Sequence, residues 1–436
     1  MSKGNGRMAL LEPREYPAAD SASLLAQDFD RVRSTTQALC EPLEIEDYVV
    51  QSMPDASPAK WHLAHTSWFF EQFILKPHVR NYRSPHPQYE YLFNSYYQSV
   101  GPMHERPQRG LLTRPTVAEV MAYRAHIDAQ MRSLLATRGS DSTIAALTTL
   151  GLNHEQQHQE LLLTDLKHLF SCNPLRPAYR ARPQQAQAST MSPMRFYTFD
   201  GGIEHIGASD EAFVFDNELP RHKVFVEPFA LANRLVTNSE YAEFIRDDGY
   251  RRPEMWLSDG WALIQQERWT RPFYWSESLD SEFTLAGMQP IDPAAPVCHL
   301  SFYEADAFAR WAGARLPTEA EWEIAAAQMP VRGNLLEANA LHPLAAVDDA
   351  EHDESQLRQL FGDVWEWTAS PYTPYPGYRA PPGALGEYNG KFMCNQLVLR
   401  GGSCITPTSH IRATYRNFFY PHARWQFMGV RLARHM

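Results

Sequence analysis

Apolar residues recur at helical spacing over four stretches of the first 170 residues. Residues 21–43, 59–75, 117–135 and 143–170 predict long helices, the third opened by Thr116 after Pro115. The fourth is the clearest, with Leu147, Leu150, Leu152, Leu161, Leu162, Leu166 and Leu169 in register. Four helices of this length predict a bundle, in which sites form from side chains on facing helices. Residues 76–114 between the second and third are rich in Pro, Tyr and Arg, and so long a connection inside a compact domain is more often functional than idle. Residues 173–195 carry Pro, Gln and Ala without a period and read as a linker. From Phe196 the pattern becomes short apolar runs (FYTF, KVFVEPFAL, QLVLRGG, GVRLA) broken by Gly, Pro and Asn, with helices expected at 301–312 and near 319–327. The expectation is a multidomain α+β chain: a helical bundle over 22–172, the linker, and an irregular α+β domain over 196–436.

Bulk properties narrow the classes. A chain of 436 residues is long enough for two or three domains, and 44% hydrophobic and 12% aromatic content supplies their cores. A net charge of −11 without a sustained basic run argues against nucleic acid as a partner. No apolar stretch approaches a membrane span, and the N-terminus MSKGNGRMALLEPREY has no apolar core of a secretion signal, so a cytoplasmic location is expected and a membrane partner is not. Cys40, Cys172, Cys298, Cys394 and Cys404 form no C-x-x-C pair, which fits a reducing compartment without a disulfide framework. Nothing in the pattern addresses oligomeric state.

The candidate chemistry lies in HEQQHQE at 154–160. Positions four apart on a helix differ by about 40° around its axis, so His154 and His158 point the same way. Read as H-E-x-x-H, the pair holds zinc and Glu155 is the base of a metalloprotease. That reading needs a third ligand, yet the chain has Leu161 and Thr164 where the metzincin extension requires glycine and histidine, and the next glutamate is Glu204, beyond the linker. Read as H-x-x-x-H-x-E, the histidines hold another metal and Glu155 is a bystander. Glu160 lies roughly 200° from His158 on the wheel, so the third ligand must come from elsewhere.

Two groups of motifs carry a family resemblance. RLPTEAEWE at 315–323, GDVWEWT at 362–368, LRGGS at 399–403 and GVRLA at 429–433 resemble the formylglycine-generating-enzyme domain, which has a C-type-lectin-like fold. The cysteine pair of those enzymes is not matched, since Cys404 has no neighbour in the following segment, so the fold is expected to serve another site. WHLAHTSWFFE at 61–71 and NHEQQHQELLLTDLKH at 153–168 resemble the DinB-like bundle. The combination is similar to the ergothioneine-type sulfoxide synthases, the EgtB-like non-haem iron enzymes. That resemblance implies an Fe(II) centre held by His154, His158 and a histidine of the earlier helix, where His65 fits the family pattern and His62 is the other candidate. Three neutral imidazoles suit iron(II), although affinity alone does not select it.

The same resemblance implies the reaction and its partners: a thiol and O2, with sulfur joined oxidatively to the imidazole C2 of hercynine to give a sulfoxide. Gln157 matches a position that binds the substrate imidazole, Asn417 one near the hercynine carboxylate, and Phe418 would face the trimethylammonium by cation–π contact. Phe419 stands where relatives using γ-glutamylcysteine carry an acid, which favours free cysteine; its own expected part is core packing. Tyr96 or Tyr97, in FNSYYQ, is the expected proton donor. Arg106 and Arg109 offer guanidinium forks for the carboxylate of the thiol. A selenoneine-type synthase, taking selenium from a selenosugar, would share the site, and a non-catalytic metal-binding module is a reading from another class.

Overall fold

A computed structural model describes residues 18–181, 193–209, 212–346 and 357–436. Its first part is helical: α1 (Ala18–Cys40), α2 (Ala59–Phe70), α3 (Lys76–His78), α4 (Tyr89–Phe93), α5 (Val117–Arg138) and α6 (Ser142–Cys172). The four long helices pack in a ring, α1 against α6, α6 against α2, α2 against α5, and α5 against α1. Starts follow local chemistry. Thr116 caps α5 through a reciprocal capping box with Glu119, and the Asp141 carboxylate accepts the amides of Thr143 and Ile144 to begin α6.

The expected helix over 59–75 is real but not uniform. After Phe70 the chain winds one π-turn, Glu71–Leu75, before α3. Every side chain of α2 is buried, polar ones included, because the helix lies between α5 and α6. The bundle core therefore has an ionic centre beside its apolar one. Arg33 reaches Asp128 at 2.6 Å and Glu155 at 2.8 Å, and Arg124 reaches the other oxygen of Glu155 at 2.5 Å.

The second part carries the strands. Phe196–Phe199, Phe229–Ala232 and Ala433–His435 form one antiparallel sheet, tying the start of this part to the end of the chain. Asn417–Phe419, Leu397–Arg400, Trp365–Pro371 and Met428–Gly429 form a second sheet in that order, the last pair parallel. Helices Phe302–Trp311 and Glu319–Ala326, capped by Ser301 and Thr318, match the sequence expectation to within a residue at each end. Trp322, Trp365 and Trp367 are fully buried, so the tryptophan-rich composition of this part goes into its core. Of the expected linker 173–195, residues 182–192 lie outside the described residues. Among the described residues no helix is long and apolar enough to cross a membrane.

Candidate metal centre

The i, i+4 spacing on α6 and the packing of α2 against it bring three histidines together. His65 of α2 and His154 and His158 of α6 each offer a ring nitrogen within 4.8 Å of the others, all three rings buried; among the described residues no other group of three or more such side chains is gathered this way. Nε2 of His65 and Nε2 of His154 are 3.1 Å apart. Ligand nitrogens at about 2.1 Å from a first-row metal, on neighbouring positions, are separated by about this distance. Nδ1 of His65 donates to the carbonyl of Phe93 at 2.6 Å, which leaves Nε2 as a lone pair. Burial lowers the basicity of all three rings, His154 to about 3, and His154 further lowers that of both His65 and His158. Three neutral imidazoles with converging lone pairs are a donor set that fits a divalent transition metal.

His62, the other candidate ligand, stands behind this set. Its Nδ1 is 2.8 Å from Nδ1 of His158 and its Nε2 is 3.0 Å from Oδ2 of Asp165. Glu155 points away from the ligands. Burial alone would raise its pKa, but Arg124 and Arg33, with the Thr36 hydroxyl, hold it down at about 2. A carboxylate committed to two guanidinium groups has no free oxygen for a metal-bound water, so the protease geometry is absent from the described residues. Glu160 also leaves the centre. It accepts the Trp365 indole N–H at 2.5 Å and the hydroxyls of Ser403 and Thr406, pinning α6 to the strand-bearing part.

That part closes over the histidines. The Gln157 amide donates to Tyr415 Oη at 2.7 Å and its carbonyl oxygen accepts the Tyr388 hydroxyl. Tyr415 also contacts His410, whose other nitrogen meets Asn153 of α6. The Tyr388 ring lies 5.7 Å from that of His154 and stacks on Phe215. Nothing periodic in GEYNGKF marks Tyr388; only the fold brings it here.

The two phenols of the long connection stand beside Tyr388. The rings of Tyr96 and Tyr97 are 4.6 Å apart, and Tyr96 is 6.3 Å from Tyr388. Tyr97 is wholly buried against Trp68 and Phe73, with the Tyr96 phenol beside its own. The loop is held from both sides, by the Asn94 side chain on Tyr97 and by Glu387, which accepts the amides of Gln98 and Ser99 at 2.9 Å. Phe418 stacks on Tyr372 at 4.0 Å, and Phe392 bridges from it to Tyr96. Asn417 turns its carbonyl oxygen to the amide of Phe418, while Phe419 packs edge-on against Trp425. Arg109 is buried over the Trp61 ring at 3.3 Å and donates to Ser57. Arg106 is exposed and donates to the carbonyl of Asp55, so the structure does not bring it to the histidines. Burial pushes the Cys404 thiol well up from its ordinary range, which suits a packed residue.

The chain was compared with known proteins. The DinB superfamily matches residues 28–162 and the sulfatase-modifying factor enzyme 1-like domain matches residues 181–436. The hercynine oxygenase of Mycolicibacterium thermoresistibile is 33% identical over 408 residues, 87% of this chain and 88% of that one. The hercynine oxygenase of Mycolicibacterium smegmatis is 33% identical over 441 residues, 94% of this chain and 98% of that one. The formylglycine-generating enzyme of Streptomyces coelicolor is 32% identical over 283 residues, 54% of this chain and 84% of that one. A DinB-like bundle carrying three converged histidines, joined to a C-type-lectin-like sulfatase-modifying fold, defines an enzyme of the oxygenase type. The chain belongs to the hercynine oxygenase family.

Proposed function

We propose that this enzyme joins the sulfur of a thiol, cysteine, to the imidazole C2 of hercynine at an iron(II) centre, consuming O2 and releasing a sulfoxide. The balance is one C–H and one S–H bond lost and one C–S bond formed; one oxygen atom goes to sulfur and the other leaves as water. The convergence of His65, His154 and His158, buried and neutral, carries this reading. Iron(II) held by these three residues would supply redox chemistry towards O2 and open positions for substrates.

The chain's own groups divide the remaining work. Gln157 is held from both ends by Tyr415 and Tyr388, an orientation that suits an amide binding the substrate imidazole. Burial raises the pKa of both loop phenols, so each keeps its proton at neutral pH until it is used. Tyr97, buried against Trp68, whose ring stacks on that of His65, is the stronger candidate to give that proton. Arg109 has an unpartnered Nε among the described residues and is the better of the two arginines for the carboxylate of the thiol. Asn417 and Phe418 are assigned to the hercynine end. The helical and strand-bearing parts act as two domains joined by residues 173–195.

Anaerobic titration with iron(II), followed by oxygen uptake in the presence of hercynine and cysteine, tests the proposal. The expected outcome is oxygen consumption that needs both substrates and a product whose mass is that of the cysteine–hercynine sulfoxide. Uptake only with a selenosugar in place of cysteine would reassign the donor, and none with either would remove the oxygenase reading. Replacing Tyr96 and Tyr97 singly with Phe is expected to cost turnover in at least one; full rates in both would end the phenol assignment.

A further inference from the structure

We propose that His62 and Asp165 are positioning residues, a carboxylate–imidazole relay that fixes the tautomer of His158 and so aims its Nε2 at the metal. The inference rests on reading the three histidines as a metal centre, and adds to it what holds one of them in its ligating form.

Oδ2 of Asp165 accepts the backbone amide of Ser57 at 2.8 Å and lies 3.0 Å from Nε2 of His62. An oxygen acting as acceptor there places the single ring proton of His62 on Nε2. Nδ1 of His62 is then a lone pair, and it stands 2.8 Å from Nδ1 of His158. Two nitrogens at that distance form a hydrogen bond only when one carries a proton, so His158 must be protonated on Nδ1. Its Nε2 is thereby free to ligate. The carbonyl of Phe93 imposes the same choice on His65 directly. His62 and Asp165 are 3% and 5% exposed, so water does not compete for these contacts.

Helix geometry explains why the relay exists. His62 precedes His65 by three positions on α2, and Asp165 follows His158 by seven on α6. Both intervals return to nearly the same helix face. Each helix therefore places relay and ligand on one stripe, and the packing that joins the ligands also joins the relay.

Outer partners of metal-bound imidazoles typically change metal affinity by about 10–100-fold. The test titrates the metal-free, full-length protein anaerobically with iron(II) against a competing chelator, in wild type, His62→Leu and His62→Asn. The Asn carbonyl oxygen can occupy the place of the imidazole Nδ1 and accept from His158; Leu cannot. His62→Leu is expected to weaken iron(II) binding by about 10–100-fold and His62→Asn to restore most of it. In parallel, nitrogen-15 spectra of histidine-labelled, metal-free wild type, with His158 assigned by its loss in His158→Ala, should show the Nδ1–H tautomer. Wild-type affinity in His62→Leu, or the Nε2–H tautomer at His158, would overturn the relay. A wild type that binds no iron(II) yet keeps Nδ1–H on His158 would overturn the metal reading and leave the relay standing.

Discussion

Glu155 sits one position after a proposed ligand, in a motif that elsewhere makes it a catalytic base, and every oxygen it has is spent on holding the bundle together. Replacing it with Gln leaves Arg124 without its carboxylate and Arg33 with Asp128 alone, and breaking a buried ion pair in this way costs about 3–5 kcal/mol. Denaturant unfolding should show that loss. The pH dependence has a definite sign. The folded pKa of Glu155, about 2, lies below its ordinary value of 4.5, so its stabilising contribution is present above that ordinary value. It is lost as pH falls towards 2, and the stability gap between wild type and Glu155→Gln should narrow through that window. At the centre itself, His154→Ala is expected to abolish tight metal binding, read by the same titration as above. The histidine pair was legible in the sequence because its two members are one helical turn apart. The fate of Glu155 was not, because Arg33 is 122 residues away in the chain.

The four long helices were readable from apolar spacing, with ends misplaced by at most three residues. The π-turn at Glu71–Leu75 was not readable, since one widened turn barely disturbs the spacing. It follows the ligand helix directly. Glu71 there accepts the hydroxyls of Tyr82 and Tyr123, and Phe73 packs on Trp68, Phe69 and Tyr97. The tyrosine loop is fastened differently, from within by Asn94 and from the other half of the chain by Glu387 and by Lys391, which donates to the carbonyl of Tyr96. Although burial opposes it, the Ser99 hydroxyl and amide, Lys391 and the Gln98 amide bring the pKa of Glu387 down to about 2. Glu387→Ala removes that acceptor. Faster amide hydrogen exchange at Gln98 and Ser99 is the expected result, with the bundle helices unchanged; unchanged exchange at those amides would show that Asn94 and Lys391 suffice to hold the loop.

At the scale of the whole molecule, α6 both carries His154 and His158 and forms the surface on which the second part docks. Gln156 meets Ser409, Gln157 meets Tyr415, Glu160 meets Trp365, and the fully buried Lys167 contacts His299 between the rings of Tyr274 and Phe427. The sequence offered Gln157 as a substrate-binding position and Glu160 only as a residue turned away from His158, and no short-range rule could name partners more than 130 residues distant. Glu160→Ala leaves the indole N–H of Trp365 without its acceptor, and a buried donor so orphaned costs about 1–3 kcal/mol. A lowered unfolding temperature in calorimetry, with exchange rising together in α6 and around Ser403, would be its signature.

The three converged histidines share one bundle, whereas Tyr415, Tyr388, Phe215 and Phe418 come from the lectin-like part. On the proposed assignment, the metal-holding residues come from the first stretch of the chain alone, while substrate contacts come from both, Gln157 and Arg109 from the first and Asn417 and Phe418 from the second. Substitutions confined to residues 384–420 should alter which small molecule is accepted while metal affinity stays constant. A histidine-bearing bundle of this kind can serve a different substrate through changes in its partner domain, without being rebuilt.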